Sequence, residues 1–136
     1  MYQGQFIFSQ IIEFIPRREF NKFITEYKGN QRIRNLDCRD QLLAMMFGQL
    51  TSLRSLRGIV LCLNAHSNLL YHLGFKSSNF TLSTLSRANE NRDFRIYQEL
   101  SMLLIRQARK LYLNDNDFGI ELNGAVYALD STVIEL

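Results

Sequence analysis

From Gln5 to Leu111 the apolar residues recur at helical spacing, and after "NDNDFG" that recurrence stops and another texture begins. The switch constrains the fold more than any other feature. A stripe with a period near 3.6 residues is buried only by packing helices together, whereas the closing stretch reads as strand. Ile7, Ile11, Phe14 and Ile15 mark a first helix. Pro16 halts it, because proline lacks an N–H and its ring clashes one turn back. Phe20, Phe23, Ile24 and Tyr27 mark a second helix, with Pro16 at its start and Gly29 just past its end. Its other face carries Arg17, Arg18, Lys22 and Lys28.

Beyond the polar, basic connection "NQRIRNL", Asp37 is an N-cap candidate for a third helix. Leu43, Met46, Phe47 and Leu50 mark one of its faces, Thr51 and Ser52 end it, and Met45 and Met46 read as core filler. Ser55 can cap a fourth helix with Leu56, Ile59, Val60 and Leu63 inside, and "NAHSN" separates it from a short "LLYHL" closed by Gly74. An unusually polar helix from about Thr81 to Asn91 has only Leu82, Leu85 and Ala88 to bury. Asp93 can cap the longest helix, whose apolar face is Tyr97, Leu100, Leu104, Ala108 and Leu111.

The expected fold is mostly α. A multi-helix domain with a helix-turn-helix-like segment spans 1–113, a linker or hairpin start 114–124, and a strand 125–136. The apolar run Ala125–Leu129 reads as a strand buried on both faces, as in central strands of α/β sheets, and one such strand is not stable alone. The expectation is therefore a chain that continues into a second, α/β domain.

A hydrophobic content of 46% suffices for a real core in 136 residues. Cys38 and Cys62 stand apart with no CxxC and no histidine at ligand spacing, so they read as reduced, buried thiols rather than a disulfide or zinc site. The N-terminus lacks a signal peptide's basic start and cleavage site, and polar residues interrupt every apolar run well short of a bilayer span. A cytoplasmic protein without a membrane partner is expected.

Charge is unevenly placed. Residues 1–112 hold sixteen Lys/Arg against eight Asp/Glu, while 113–136 hold five acids and no base. A basic body suits polyanions and an acidic end can supply carboxylates. In "TLSTLSRANENR", Ser83, Thr84, Arg87, Asn91 and Arg92 fall on the outer side of the polar helix. These are side-chain types that reach phosphates and base edges, and Arg87 or Asn91 could bond a base in bidentate fashion. A solvated polar helix is the plain alternative. Arg54, Arg57, Lys76 and Arg87 lie in a window, 41–89, that contains no acid, and would position DNA by neutralising phosphates. His66 and His72 suit neither a zinc pair nor an acid–base dyad, and there is no glycine-rich phosphate loop.

Asp130, in "YALDSTVIEL", stands at the C-terminal end of the expected strand, where α/β folds place ligands and where a hard oxygen suits Mg²⁺. One carboxylate cannot hold a catalytic metal pair. Taken alone it is equally a turn or capping aspartate. The DxDx(T/V) pattern of haloacid-dehalogenase-type phosphatases is missed, since Thr132 stands where the second aspartate belongs.

Five strings in order, "FSQIIEFIPRREF", "YKGNQRIRNLDCRDQLLAMMFGQLT", "SLRGIVLCLNA", "LYHLGFKSSNFTLSTLSRANENRDFRIY" and "YALDSTVIEL", resemble the N-terminal part of bacterial insertion-sequence transposases of the DDE type, whose catalytic core is RNase H-like. The resemblance implies a helical domain that binds transposon-end duplex DNA, followed by a core in which three acids hold Mg²⁺ or Mn²⁺ and Asp130 matches the first. The other two acids and the Tyr/Arg/Glu/Lys signature would lie beyond Leu136, so this chain alone is expected to bind DNA rather than cut it and to hold no metal. The intact protein would act in the bacterial cytoplasm, associated with the nucleoid, and could be a homodimer. The alternative, from another class, is a non-enzymatic helical module whose basic face meets acidic proteins.

Overall fold

In a computed structural model of the chain, residues 7–112 are described. Among them the fold is all-helical: α1 (Ile7–Glu13), α2 (Arg17–Glu26), α3 (Cys38–Leu50), α4 (Leu56–Ala65), a 3₁₀ turn (Ser67–Leu69), α5 (Leu82–Asn91) and α6 (Arg95–Tyr112). The expected linker over 114–124, the strand over 125–136 and Asp130 lie outside the described residues. None of the described helices is long and apolar enough to cross a membrane.

Helix starts follow local chemistry. Asp37 accepts the backbone N–H of Asp40 at 2.8 Å, Ser55 that of Gly58 at 3.1 Å, and Thr81 that of Thr84 at 3.2 Å. Each satisfies a donor that an N-terminal first turn leaves without a partner. Asp93 accepts the N–H of Arg95 at 3.0 Å and also grips its guanidinium. Helix ends close by a shared pattern. After α2 the N–H of Gly29 reaches the carbonyl of Ile24 and that of Lys28 reaches Thr25, while after α3 Leu53 reaches Gly48 and Ser52 reaches Gln49. These paired bonds need one residue in the left-handed region, supplied by Lys28 (φ 53°), Ser52 (φ 56°) and, after the 3₁₀ turn, Gly74 (φ 85°).

Gly29 lies just past the end of α2 as expected, but Lys28 rather than Gly29 takes the left-handed conformation, and the glycine is needed for space. A Cβ there would press on Ile96 Cδ1 and lie 2.6 Å from Cys38 Sγ, and both of those side chains are fully buried. The glycine lets the chain after α2 pass against α3 and α6.

α3 is the central helix. From Cys38 to Gly48 none of its residues is exposed, because α4 and α5 both pack on it. α4 also packs on α5, and α2 on α6. The core comprises Ile12, Phe20, Leu43, Ile59, Leu63, Leu70, Phe75, Leu85, Ile96 and Leu100, among others.

Several expected faces shift. Along α1 and the turn after it the inward side is Phe8, Ile12 and Ile15, while Ile7 and Phe14 are 76% and 79% exposed. Phe8 decides the phase by meeting the Phe47 ring edge-on at 5.7 Å and stacking on Phe75 at 6.4 Å. Leu50 and Leu82 are exposed because they sit at the last and first positions of their helices. Ile96, absent from the expected α6 face, is fully buried, whereas Ala108 is exposed because Ile105 to Lys110 all face solvent. The side chain of Leu111 lies outside the described residues.

Candidate nucleic-acid interface

α5 is seated by its own buried edge and by the chain ahead of it. Leu85 and Ala88 are buried in the core. Asn64 of α4 grips Phe80 twice, its amide N–H₂ donating to the Phe80 carbonyl at 2.8 Å and its amide oxygen accepting the Phe80 N–H at 2.9 Å. The Phe80 ring packs edge-on against Phe75 at 5.4 Å. Anchored so, α5 leaves Ser83, Ser86, Arg87, Glu90 and Asn91 exposed. α4 and the 3₁₀ turn precede it, and the chain between α4 and α5 runs from 66 to 81. The segment is therefore far longer than the three- or four-residue turn of a helix-turn-helix.

A polar network fixes α5 and α6 to α3. Asp40, 1% exposed, accepts the backbone N–H groups of Lys76 and Ser77 at 3.0 and 2.8 Å. Buried Gln41 donates to Asn89 at 2.6 Å and accepts the Tyr97 hydroxyl at 2.7 Å. Arg92 closes the network, its guanidinium donating to the carbonyls of Leu36 and Asp37 and to the side-chain oxygen of Gln41. Burial pushes the Tyr97 phenol far above its ordinary value and also raises the Cys38 thiol. Both stay neutral donors or hydrophobes at physiological pH.

Two clefts flank the stretch Ile33–Leu36. One, of about 680 Å³, is lined by Arg34, Asn35, Asp40, Lys76, Ser77 and Thr84 among others. The second, of about 550 Å³, is lined by Lys28, Arg32, Arg34, Thr84, Arg87 and Asn91 among others. They share Ile33 to Leu36 and Thr84 and so adjoin, two neighbouring clefts that make up a grooved surface between the α2–α3 connection and α5. The acids on its walls are occupied: Asp37 pairs with Lys76 at 2.9 Å, Asp93 pairs with Arg95 at 2.6 Å, and Asp40 holds backbone. Lys28, Arg32, Arg34 and Arg87 are exposed and have no acid partner among the described residues.

The expected DNA-contacting residues divide accordingly. Thr84, Arg87 and Asn91 share the groove, with the Asn91 amide bonded back to the Arg87 carbonyl at 3.0 Å. Lys76 lines it but is tied to Asp37. Ser83 is exposed beside Thr81 and lines neither cleft. Arg54 and Arg57 are exposed on the α3–α4 turn and the first turn of α4, outside the groove. Arg92 lies on the wall with its guanidinium turned into the fold. Lys28, Arg32 and Arg34 enter the site unforeseen. Their only signals were the basic face of the second helix, for Lys28, and the basic connection "NQRIRNL", for Arg32 and Arg34, and nothing local says that these lie beside a helix about fifty residues later.

Burial alone would raise the Asp37 carboxyl, but hydrogen bonds from Lys76 and from the Asp40 backbone outweigh it and hold the carboxyl below its ordinary value of 3.8. With the folded value depressed, this stabilisation is fully present above the unfolded pKa and is lost as pH falls through the folded one. Asp37→Asn keeps a capping oxygen but no charge. Stability measured by urea unfolding is expected to fall less steeply below about pH 4 in that variant than in the parent.

No group of three or more His, Cys, Asp or Glu positioned to hold a metal occurs among the described residues. His66 is exposed, its Nδ1 2.9 Å from the Cys62 carbonyl oxygen, and His72 is exposed against the Tyr71 ring. Both thiols are free, Cys38 buried and Cys62 half-buried. Residues 3–76 match a family model described as a domain of unknown function (DUF4372), just over half of the chain, from before α1 to the first groove. No curated protein and no solved structure matches the chain.

Proposed function

The chain belongs to the DUF4372 family, and on that premise we propose that its helical body binds double-stranded DNA with α5 turned to the duplex. The observation that carries this reading is the set of four exposed cations without acid partners among the described residues, Lys28, Arg32, Arg34 and Arg87, along a groove that also exposes amides, hydroxyls, Lys76 and Ile33. Such a surface neutralises phosphates and offers bond-forming groups to base edges. The sixteen Lys/Arg against eight Asp/Glu in residues 7–112 add a favourable long-range field.

The resemblance to DDE transposases runs through the same helices, and it supplies the larger role. The domain would hold transposon ends in the bacterial cytoplasm while an RNase H-like core cuts and joins phosphodiesters. In that core Asp130 would be one of three acids holding Mg²⁺ or Mn²⁺, with water and then a DNA 3′-hydroxyl as nucleophile.

The test is fluorescence-anisotropy titration of the protein with a random-sequence duplex pool across a salt series. Binding is expected to weaken as salt rises, with a logarithmic slope of about −3 to −4 for four neutralised phosphates. Absence of binding even at low salt overturns the reading in favour of a module whose basic face meets acidic proteins.

A further inference from the structure

We propose that the groove admits the sugar–phosphate backbone of one DNA strand, clamped by the α2–α3 connection, while α5 on the opposite wall meets base edges in the adjoining major groove. The inference rests on the DNA-binding reading and assigns to the connection a part in it that the helices alone do not suggest.

The connection is pre-shaped rather than loose. Gly29, Gln31 and Ile33 donate backbone N–H groups to Ile24, Lys28 and Asn30, which folds it into consecutive turns. Asn30 accepts the Cys38 N–H through its side-chain oxygen at 2.8 Å, and the Asn35 carbonyl accepts the Ser77 hydroxyl at 2.6 Å. Arg92 then links the carbonyls of Leu36 and Asp37 to the C-terminal end of α5. The two walls are thereby held to one another through a single side chain.

Lys28 and Arg32 both adopt left-handed backbone, at φ 53° and 59°, where a residue with a Cβ pays about 1–2 kcal/mol that glycine avoids. Long cationic side chains stand at both strained positions, and Arg34, the next base along, lines both clefts. Cations carried on a hydrogen-bonded, turned backbone along one wall suit the uniform charge of a phosphodiester backbone. Arg87 and Asn91 on the other wall carry the kinds of donor and acceptor groups that distinguish guanine and adenine edges, the Asn91 amide once it leaves the Arg87 carbonyl. The connection accordingly acts as a positioning element without sequence preference, and Arg87 with Asn91 determines specificity.

Two variants separate the roles. Lys28→Gly/Arg32→Gly/Arg34→Gln removes three charges without adding strain at the left-handed positions, and Arg87→Gln/Asn91→Ala alters only exposed groups of α5. Each is titrated with the random duplex pool across salt and then used to enrich sequences from that pool, with thermal unfolding confirming the fold. The connection variant is expected to make the logarithmic salt slope shallower by about 2.7 while enriching the parent's sequences. The α5 variant is expected to enrich different or no sequences. If the parent binds duplex but the connection variant keeps the parent's slope, or loses the parent's sequence preference, the clamp is wrong and the DNA reading stands. If the parent binds no duplex at low salt, both fall.

Discussion

Leu85→Ala is expected to destabilise the protein by about 2–5 kcal/mol, read as a lower urea midpoint at unchanged slope. Leu85 is 0% exposed, on the face of α5 that packs against α3 and α4. Truncation removes its hydration benefit and leaves a cavity that helices pinned by the Asn64–Phe80 bonds and the Gln41–Asn89 bond cannot readily close. Small domains have only about 5–15 kcal/mol of stability in all, so the loss would be a large part of the whole. Leu82, three residues earlier with the same side chain, is the internal control. At 36% exposed in the first turn of α5, it is expected to cost under about 1 kcal/mol as alanine. Equal losses at the two positions would mean that α5 is seated on a different face.

Arg92→Ala is expected to cost about 3 kcal/mol, the second large effect. The change removes a charged donor from two carbonyls and from Gln41, and leaves those buried acceptors without it. Arg92→Lys is expected to recover only part of the loss, since an ammonium lacks the planar fork that reaches several acceptors at once. A cycle combining Arg92→Ala with Gln41→Leu checks the assignment. The double variant is expected to be more stable than the sum of the single losses predicts, because both single changes remove the same Arg92–Gln41 bond and the sum counts it twice. If Arg92→Ala lowers duplex affinity with stability unchanged, its side chain belongs outside on DNA and the network assignment fails.

Arg92 also shows where sequence reading loses its grip. From the sequence it belongs to a row of Ser, Thr, Asn and Arg on a polar helix, and nothing within one turn separates it from Arg87. The difference lies in Leu36 and Asp37, 56 and 55 residues away, whose carbonyls receive its guanidinium. The groove was half legible for the same reason. Thr84, Arg87 and Asn91 were visible as an outer face, whereas Lys28, Arg32 and Arg34 became part of the site only when the connection folded against α5. Arg54 and Arg57, plausible by charge alone, fall outside it.

The amino-acid sequence by itself determined where the helices lie and how they start. Pro16, Asp37, Ser55 and Thr81 act on backbone groups within a turn of themselves, and an apolar stripe repeats within two turns, so these signals are complete in a short window. Only the tertiary structure decided which face of α1 is buried, why Gly29 must lack a side chain, and which cations stand free beside α5. In each case the local sequence is compatible with more than one answer, and a packing partner far along the chain selects one: Phe47 and Phe75 for Phe8, Ile96 for Gly29, and the carbonyls ahead of α3 for Arg92.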